Sequence, residues 1–107
     1  MKNQTFTDIL VDQIEKSKEV LLDKAAEYAT DDDRLHNFVV AAQITGGTLP
    51  KALAGFMAKH TVSVYDMIES GKSFPMDKWE EKITDHINYL LILRAILEED
   101  GVDVATA

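Results

Sequence analysis

The sequence predicts an all-α fold, a compact antiparallel bundle of four main helices in a single domain of residues 1–107. Apolar side chains recur every three or four residues through most of the chain, as on one face of a helix. Helix start and stop signals divide this pattern into four segments, and no segment has the pattern of a pair of strands. A composition of 46% hydrophobic and 28% charged residues is typical of one globular domain.

The first two helices are predicted at about residues 7–29 and 34–45. One face of the first carries Leu10, Ile14, Leu21, Ala25 and Tyr28 at helical spacing. Asp31, Asp32 and Asp33 then supply good N-cap side chains for the second helix. Gly46 and Gly47 end that helix.

The last two helices are predicted at about residues 50–70 and 78–100. Thr48 is a plausible cap for the third helix, and Pro50 is tolerated in the first turn because its missing N–H has no helical partner there. Gly71 is suited to the left-handed conformation that ends a helix. Asp77 is the expected cap of the fourth helix, and we expect residues 101–107 to fray.

The fourth helix carries two lines of side chains half a turn apart. The expected core stripe is Trp79, Ile83, Ile87, Leu90 and Leu97. The second line is Glu81, Asp85, Asn88, Ile92 and Ile96, polar at first and then apolar. If its apolar half contacts protein, Glu81, Asp85 and Asn88 lie in a semi-enclosed place. Two carboxylates one turn apart suit Mg²⁺; the alternative is a solvated acidic patch.

In the third helix, His60 lies in the middle of an apolar arc, so it should be at least partly buried. It is either a core histidine satisfied by one hydrogen bond or part of a site. Lys59 beside it offers a phosphate a point charge, or is simply solvated.

Arg34 opens the second helix, whose N-terminus presents free N–H groups that suit a phosphate. The alternative is that Asp31, Asp32 and Asp33 already satisfy those donors as caps. The sequence contains no Gly-rich phosphate loop, HExxH motif or nucleophile elbow.

A net charge of −8 disfavours binding to nucleic-acid polymers and to anionic membranes. The chain has no cysteine, which excludes disulfides and thiolate zinc sites. The sequence contains no apolar stretch of about 18 residues and no signal-peptide pattern, so we expect a cytoplasmic protein.

The order of the motifs is informative: Lys24-x-x-Glu27-Tyr28, Asp33-Arg34-x-x-Asn37-Phe38, Lys59-His60 with Ser63, Trp79-x-Glu81, and Asp85-x-x-Asn88-Tyr89. Over about residues 20–95 this order resembles small helical phage and prophage proteins that include the nucleotide-modification-associated domains. Those families are similar in helical layout to the MazG and dimeric dUTPase type of nucleotide pyrophosphohydrolase. Such enzymes bind Mg²⁺ through carboxylates on two helices and cleave nucleoside triphosphates to monophosphates.

The resemblance implies that Glu27, Glu81 and Asp85 are cation ligands, with Asp85 and Glu81 also catalytic. It places Asn37, Lys59, His60 and Asn88 around the substrate. MazG-type enzymes pair ExxE on one helix with ExxD on the next, whereas here Glu27 stands alone and Glu81 and Asp85 are four residues apart.

Two functions are therefore expected as alternatives. One is a phage-type nucleotide-handling protein that uses Mg²⁺ to hydrolyse a nucleoside triphosphate. The other is a non-catalytic module that binds a ligand or a protein during infection. In either case we expect a homo-oligomer, because small bundles often bury a face in this way.

Overall fold

The computed structural model describes residues 1–23 and 35–99 of the chain. Within these ranges there are four helices and no strand: α1 (Asn3–Asp23), α2 (His36–Thr45), α3 (Leu49–Glu69) and α4 (Met76–Glu99). The predicted all-α fold is confirmed. None of the described helices combines the length and the apolar character that a membrane span requires.

The hairpin between α2 and α3 forms as the sequence predicts. Gly46 ends α2 in the left-handed conformation, at φ 69°. The Oγ1 atom of Thr48 then accepts a hydrogen bond from the backbone N–H of Lys51, and Pro50 follows in the first turn of α3. Gly71, after α3, is also left-handed, at φ 65°. Local capping chemistry therefore fixes both ends of α3.

The predicted start of α4 is wrong by two residues, because Asp77 lies inside the first turn and does not cap the helix. The carbonyl oxygen of Pro75 accepts hydrogen bonds from the backbone N–H groups of Lys78 and Trp79, so the helix begins at Met76. Pro75 has a fixed φ that suits the residue leading into a helix.

The predicted starts of the first two helices also differ from the structure. Helix α1 begins at Asn3, four residues earlier than predicted, and α2 begins at His36 where 34 was expected. The predicted end of the first helix, the aspartate cap cluster and the predicted fraying of residues 101–107 lie outside the described residues.

Helix α4 is the element on which the described helices assemble. Helix α1 runs antiparallel to it, since Gln13 donates to Thr84 and Lys16 to Glu80. Helix α3 packs on another side of α4, and α2 packs on α3, where the rings of Phe38 and Phe56 meet edge to face. Of the described helices, α1 packs only against α4.

The best-buried apolar cluster joins α2, α3 and the last turns of α4. Its buried members are Leu35, Phe38, Leu53 and Ile96. Half-buried side chains, among them Ile92 and Tyr89 of α4, pack around them. The core therefore lies at one end of the α3–α4 pair, and the polar residues of α4 lie toward the other end.

The second line of α4 contributes more to the core than the expected core stripe does. In the expected core stripe, Ile83 is 40% and Leu90 51% exposed, whereas Ile96 in the second line is fully buried. Helical spacing defines the faces of a helix, but it does not say which face meets a neighbour. Because Ile92 and Ile96 turn toward α3, Asp85 and Asn88 on the same line turn toward it as well.

The predicted apolar face of α1 is unpacked in its first half. Leu10 and Ile14 are exposed, while Ser17, which lies on the same face two turns after Leu10, is buried. Gln13 donates to both Ser17 and Thr84, so polar side chains form the seam between α1 and α4.

Matched alanine substitutions in α4 test this difference between its two lines. Ile96→Ala should lower the free energy of unfolding by about 3 kcal/mol, because it leaves a cavity in the core. Ile83→Ala should lower it by less than about 1 kcal/mol, because its side chain is largely in water. Urea denaturation followed by circular dichroism measures both values. Equal losses, or a larger loss for Ile83→Ala, would show that the predicted stripe is the true core face.

Candidate functional site

A cluster of polar side chains lies between α3 and α4, nearer the start of α4 than the apolar core. His60 of α3 faces Asp85 of α4, and the distance from His60 Nδ1 to Asp85 Oδ2 is 3.9 Å. Their side chains are only 24% and 15% exposed. The Tyr89 ring lies 5.0 Å from the His60 ring, centroid to centroid. The predicted partial burial of His60 is confirmed, and so is the inward direction of Asp85.

Two buried polar atoms of this cluster lack a hydrogen-bond partner in the protein. They are Nδ1 of His60 and Oδ1 of Asn88. The 3.9 Å separation from Asp85 is too long for a hydrogen bond. A buried polar group without a partner costs roughly 1–3 kcal/mol, and each such group requires an explanation. A bound ligand or ion that supplies the missing partners is one physical explanation.

Asp85 also lines a cleft between α1 and α4, with a volume of about 420 Å³. Glu81, one turn earlier, lies at this cleft and is exposed, so the predicted enclosure of the acidic line is correct for Asp85 and wrong for Glu81. The reason is that α3 covers the later turns of this line, while Glu81 is near the start of α4. Lys16 of α1, together with Asp77, Glu80 and Thr84 of α4, completes the polar lining.

Lys16 brings a positive charge to the edge of the carboxylate cleft. Its Nζ atom lies 2.8 Å from Glu80 Oε1 and 2.9 Å from Asp12 Oδ2. The hydrogen bond to Glu80, and then that to Asp12, raises the pKa of Lys16 above its ordinary value of 10.5. Lys16 therefore stays protonated at neutral pH. Sequence reasoning missed it, although Gln13, Lys16 and Ser17 have the three- and four-residue spacing of a shared face.

The remaining predicted site residues do not join this cluster. Lys59 is exposed and lines a second cavity of about 680 Å³, together with Lys51 and the α2–α3 turn. No residue lines both cavities. Asn37 is exposed in the first turn of α2. Arg34 and Glu27 lie outside the described residues. The structure thus brings together Asp85, His60 and Asn88, with Glu81 at the edge.

The oxygen donors of the cluster fit a hard cation that is shared with a ligand. The Asp85 carboxylate and the Asn88 side-chain oxygen belong to residues one helical turn apart, and the latter has no protein partner. Within residues 1–23 and 35–99, no group of three His, Asp or Glu side chains is placed to hold a metal. Mg²⁺ typically takes one or two carboxylates and completes its shell with waters and substrate phosphates. The arrangement fits that mode better than an all-protein metal site.

Fold and site together define a helical protein with a half-buried Asp–His–Asn cluster next to an open cleft. In comparisons with known proteins, no family model, curated protein or solved structure matches the chain. The likeness to phage nucleotide-handling families therefore depends on the motifs alone.

Substitution of Asn88 separates a ligand-binding role from a structural one. Asn88→Leu keeps the approximate size of the side chain and removes the unpartnered oxygen, so the free energy of unfolding should fall by less than about 1 kcal/mol or should rise. Chemical denaturation measures this change. A loss above about 2 kcal/mol would show that the Asn88 amide has structural partners and is not reserved for a ligand.

The ion pair between Lys16 and Glu80 at the cleft can be tested through the pKa of Lys16. Glu80→Gln should lower this pKa toward 10.5, because it removes the carboxylate that contributes most to the shift. Since the pKa is raised, any stability from the pair is fully present below pH 10.5 and is lost as the pH rises through the folded-state pKa. A carbon-13 NMR titration of the Lys16 Cε resonance reports the change. An unaltered titration would mean that the pair does not form in solution.

Proposed function

We propose that this chain is a nucleotide-handling protein of the phage and prophage type that binds a nucleoside triphosphate with Mg²⁺ in the cleft between α1 and α4. The observation that carries the proposal is the position of Asp85, which lines this cleft and also faces His60 of α3. One helical turn further along α4, the buried oxygen of Asn88 has no hydrogen-bond partner, and a cation held by Asp85 would supply one. The cleft volume of about 420 Å³ lies within the range of small-molecule sites.

Each described residue of the site has a proposed task. Asp85 and Asn88 hold the cation from within, and Glu81 at the edge of the cleft contributes a second carboxylate or orders its waters. Bound Mg²⁺ neutralises phosphate charge, which an acidic chain of net charge −8 needs in order to accept a triphosphate. His60 is placed to accept or donate a proton beside Asp85. Lys16 supplies a cationic contact on the α1 side of the cleft.

The proposed reaction is the attack of water on the triphosphate, which gives a nucleoside monophosphate and pyrophosphate. Asp85 would orient the water and accept its proton. The predicted roles of Glu27 as a third cation ligand, and of Arg34, Asn37 and Lys59 at the substrate, stay predictions. The cytoplasm, where nucleoside triphosphates are abundant, is the expected location.

A second candidate function is non-catalytic binding of the same ligand class. The observation that favours it is that Asp85 is the only carboxylate of the described cluster that is well enclosed, while pyrophosphohydrolases of the MazG type use several. With fewer carboxylates, the site would hold fewer cations. Binding without turnover is then the expected outcome.

A triphosphate panel with Mg²⁺ tests catalysis. The wild type should release pyrophosphate from at least one nucleoside triphosphate, and Asp85→Asn should reduce the rate at least about 100-fold because it removes both cation ligand and base. Asp66→Asn, at an exposed acid elsewhere on α3, is the matched control and should stay within about twofold of the wild type. Absence of product from every substrate would contradict the enzymatic proposal.

A thermal-shift measurement with Mg²⁺ and a non-hydrolysable triphosphate tests binding separately. A ligand that binds only the folded state raises the melting temperature. The wild type and Asp66→Asn should show this rise, whereas Asp85→Asn and Asn88→Leu should not. A rise without turnover supports the binding module, and no rise in the wild type would contradict both candidate functions.

A further inference from the structure

The first half of α1 is helical although it packs against almost nothing in its own chain. Every residue from 1 to 12 is exposed, and helix α1 begins at Asn3. Of the described helices, only α4 touches α1, and its side-chain hydrogen bonds to α1 involve Gln13 and Lys16 in the second half. An unsupported helix of this length is marginal in water. Contacts other than those with α4 must therefore stabilise the first half of α1.

This half-helix also carries a high density of exposed apolar side chains. Phe6, Ile9, Leu10, Val11 and Ile14 are each between 46% and 59% exposed. At 100° per residue they cover a continuous arc of rather more than half the helix circumference. Contiguous apolar surface of this kind on a folded protein indicates an interaction site.

The segments of the chain outside the described ranges have too few apolar side chains to cover this surface. Residues 24–34 and 100–107 contain only Tyr28, Val102 and Val104 as large apolar residues. They otherwise consist mainly of alanine, threonine and charged residues. A partner from outside the chain is needed.

The order of apolar residues in this half-helix is symmetric about Leu10, which indicates that the partner is a second copy of the same chain. Around Leu10 the apolar residues stand at −4, −1, +1 and +4, so the sequence of apolar positions is the same in both directions. Two antiparallel copies crossing at Leu10 would place Phe6 of one copy against Ile14 of the other. Asp8 and Asp12 lie on the opposite side of the helix and stay in water. Two-fold interfaces require this self-complementarity.

We propose that two copies of this chain form a symmetric dimer in which the first halves of their α1 helices pack antiparallel, with Leu10 at the two-fold axis. The area is sufficient. The five side chains leave roughly 450 Å² of apolar surface in water per copy. Each partner in a standard interface buries about 800 Å², somewhat more than half of it apolar.

Sedimentation equilibrium of the full chain tests the dimer. The wild type should sediment as a dimer, and Leu10→Lys should shift it to monomer by placing two charges at the axis. Val62→Lys, at an exposed apolar residue of α3, is the matched control and should remain dimeric. A monomeric wild type, or a Leu10→Lys variant that stays dimeric, overturns the proposal.

Cross-linking makes the test independent of any folding defect in the lysine variant. Because the chain has no cysteine, a single Leu10→Cys substitution creates the only thiol. Two such thiols at a two-fold axis lie close enough for a disulfide. Oxidation at micromolar concentration should therefore link Leu10→Cys into covalent dimers and leave Asp8→Cys, on the opposite side of α1, monomeric under denaturing conditions. Equal linkage of both variants, or none of Leu10→Cys, overturns the assignment of the interface.

Discussion

The packing of α4 against α3 is the constraint on which the rest of this structure depends. Ile96 is fully buried in the core with Leu53, and this fixes the rotation of α4 about its own axis. Asp85 and Asn88 lie on the same line of α4 and therefore turn toward α3, where His60 lies. The apolar packing at one end of the helix thus imposes the desolvation of polar groups nearer its other end. For the Asn88 oxygen and His60 Nδ1, which have no hydrogen-bond partner, burial is unfavourable unless a ligand compensates it.

Local sequence signals predicted the fold well. The caps and stops at Gly46, Thr48 and Gly71 are short-range chemistry, because a side chain or a left-handed glycine satisfies groups only a few residues away. The start of α4 was mispredicted because the Pro75 carbonyl accepts from the N–H groups of Lys78 and Trp79, whereas the Asp77 side chain accepts only from the neighbouring N–H of Lys78. This geometry cannot be decided from residue preferences alone.

The candidate site was predictable only in part. The change from polar to apolar along one line of α4 correctly indicated that Asp85 and Asn88 turn inward. The choice of core stripe was wrong, because an amphipathic pattern does not identify the neighbouring helix. The sequence analysis did not identify Lys16. Its position beside Glu80, which is 64 residues later in the sequence, depends on the register between α1 and α4. Lys59 immediately precedes His60 in the sequence but faces a different cavity, since adjacent helical residues point about 100° apart.

Helix α1 connects the proposed site with the proposed dimer. Its second half forms one wall of the cleft through Lys16, and it meets α4 through a seam of polar contacts rather than a packed apolar face. The Lys16–Glu80 ion pair of this seam is more than a third exposed, and such pairs contribute little stability. Burial of the first half of α1 against a second copy would therefore hold the cleft wall in place. The cleft and the dimer share this helix, although neither proposal requires the other.

The central claim is that the inward-turned oxygens of Asp85 and Asn88 hold a cation together with a phosphate-bearing ligand. Anomalous diffraction from crystals grown with Mn²⁺ in place of Mg²⁺ and a non-hydrolysable triphosphate tests it most directly. The account predicts an anomalous peak at about 2.0–2.3 Å from oxygens of both side chains, with phosphate oxygens completing the shell. Ordered triphosphate elsewhere on the protein, with no peak beside Asp85, would contradict it.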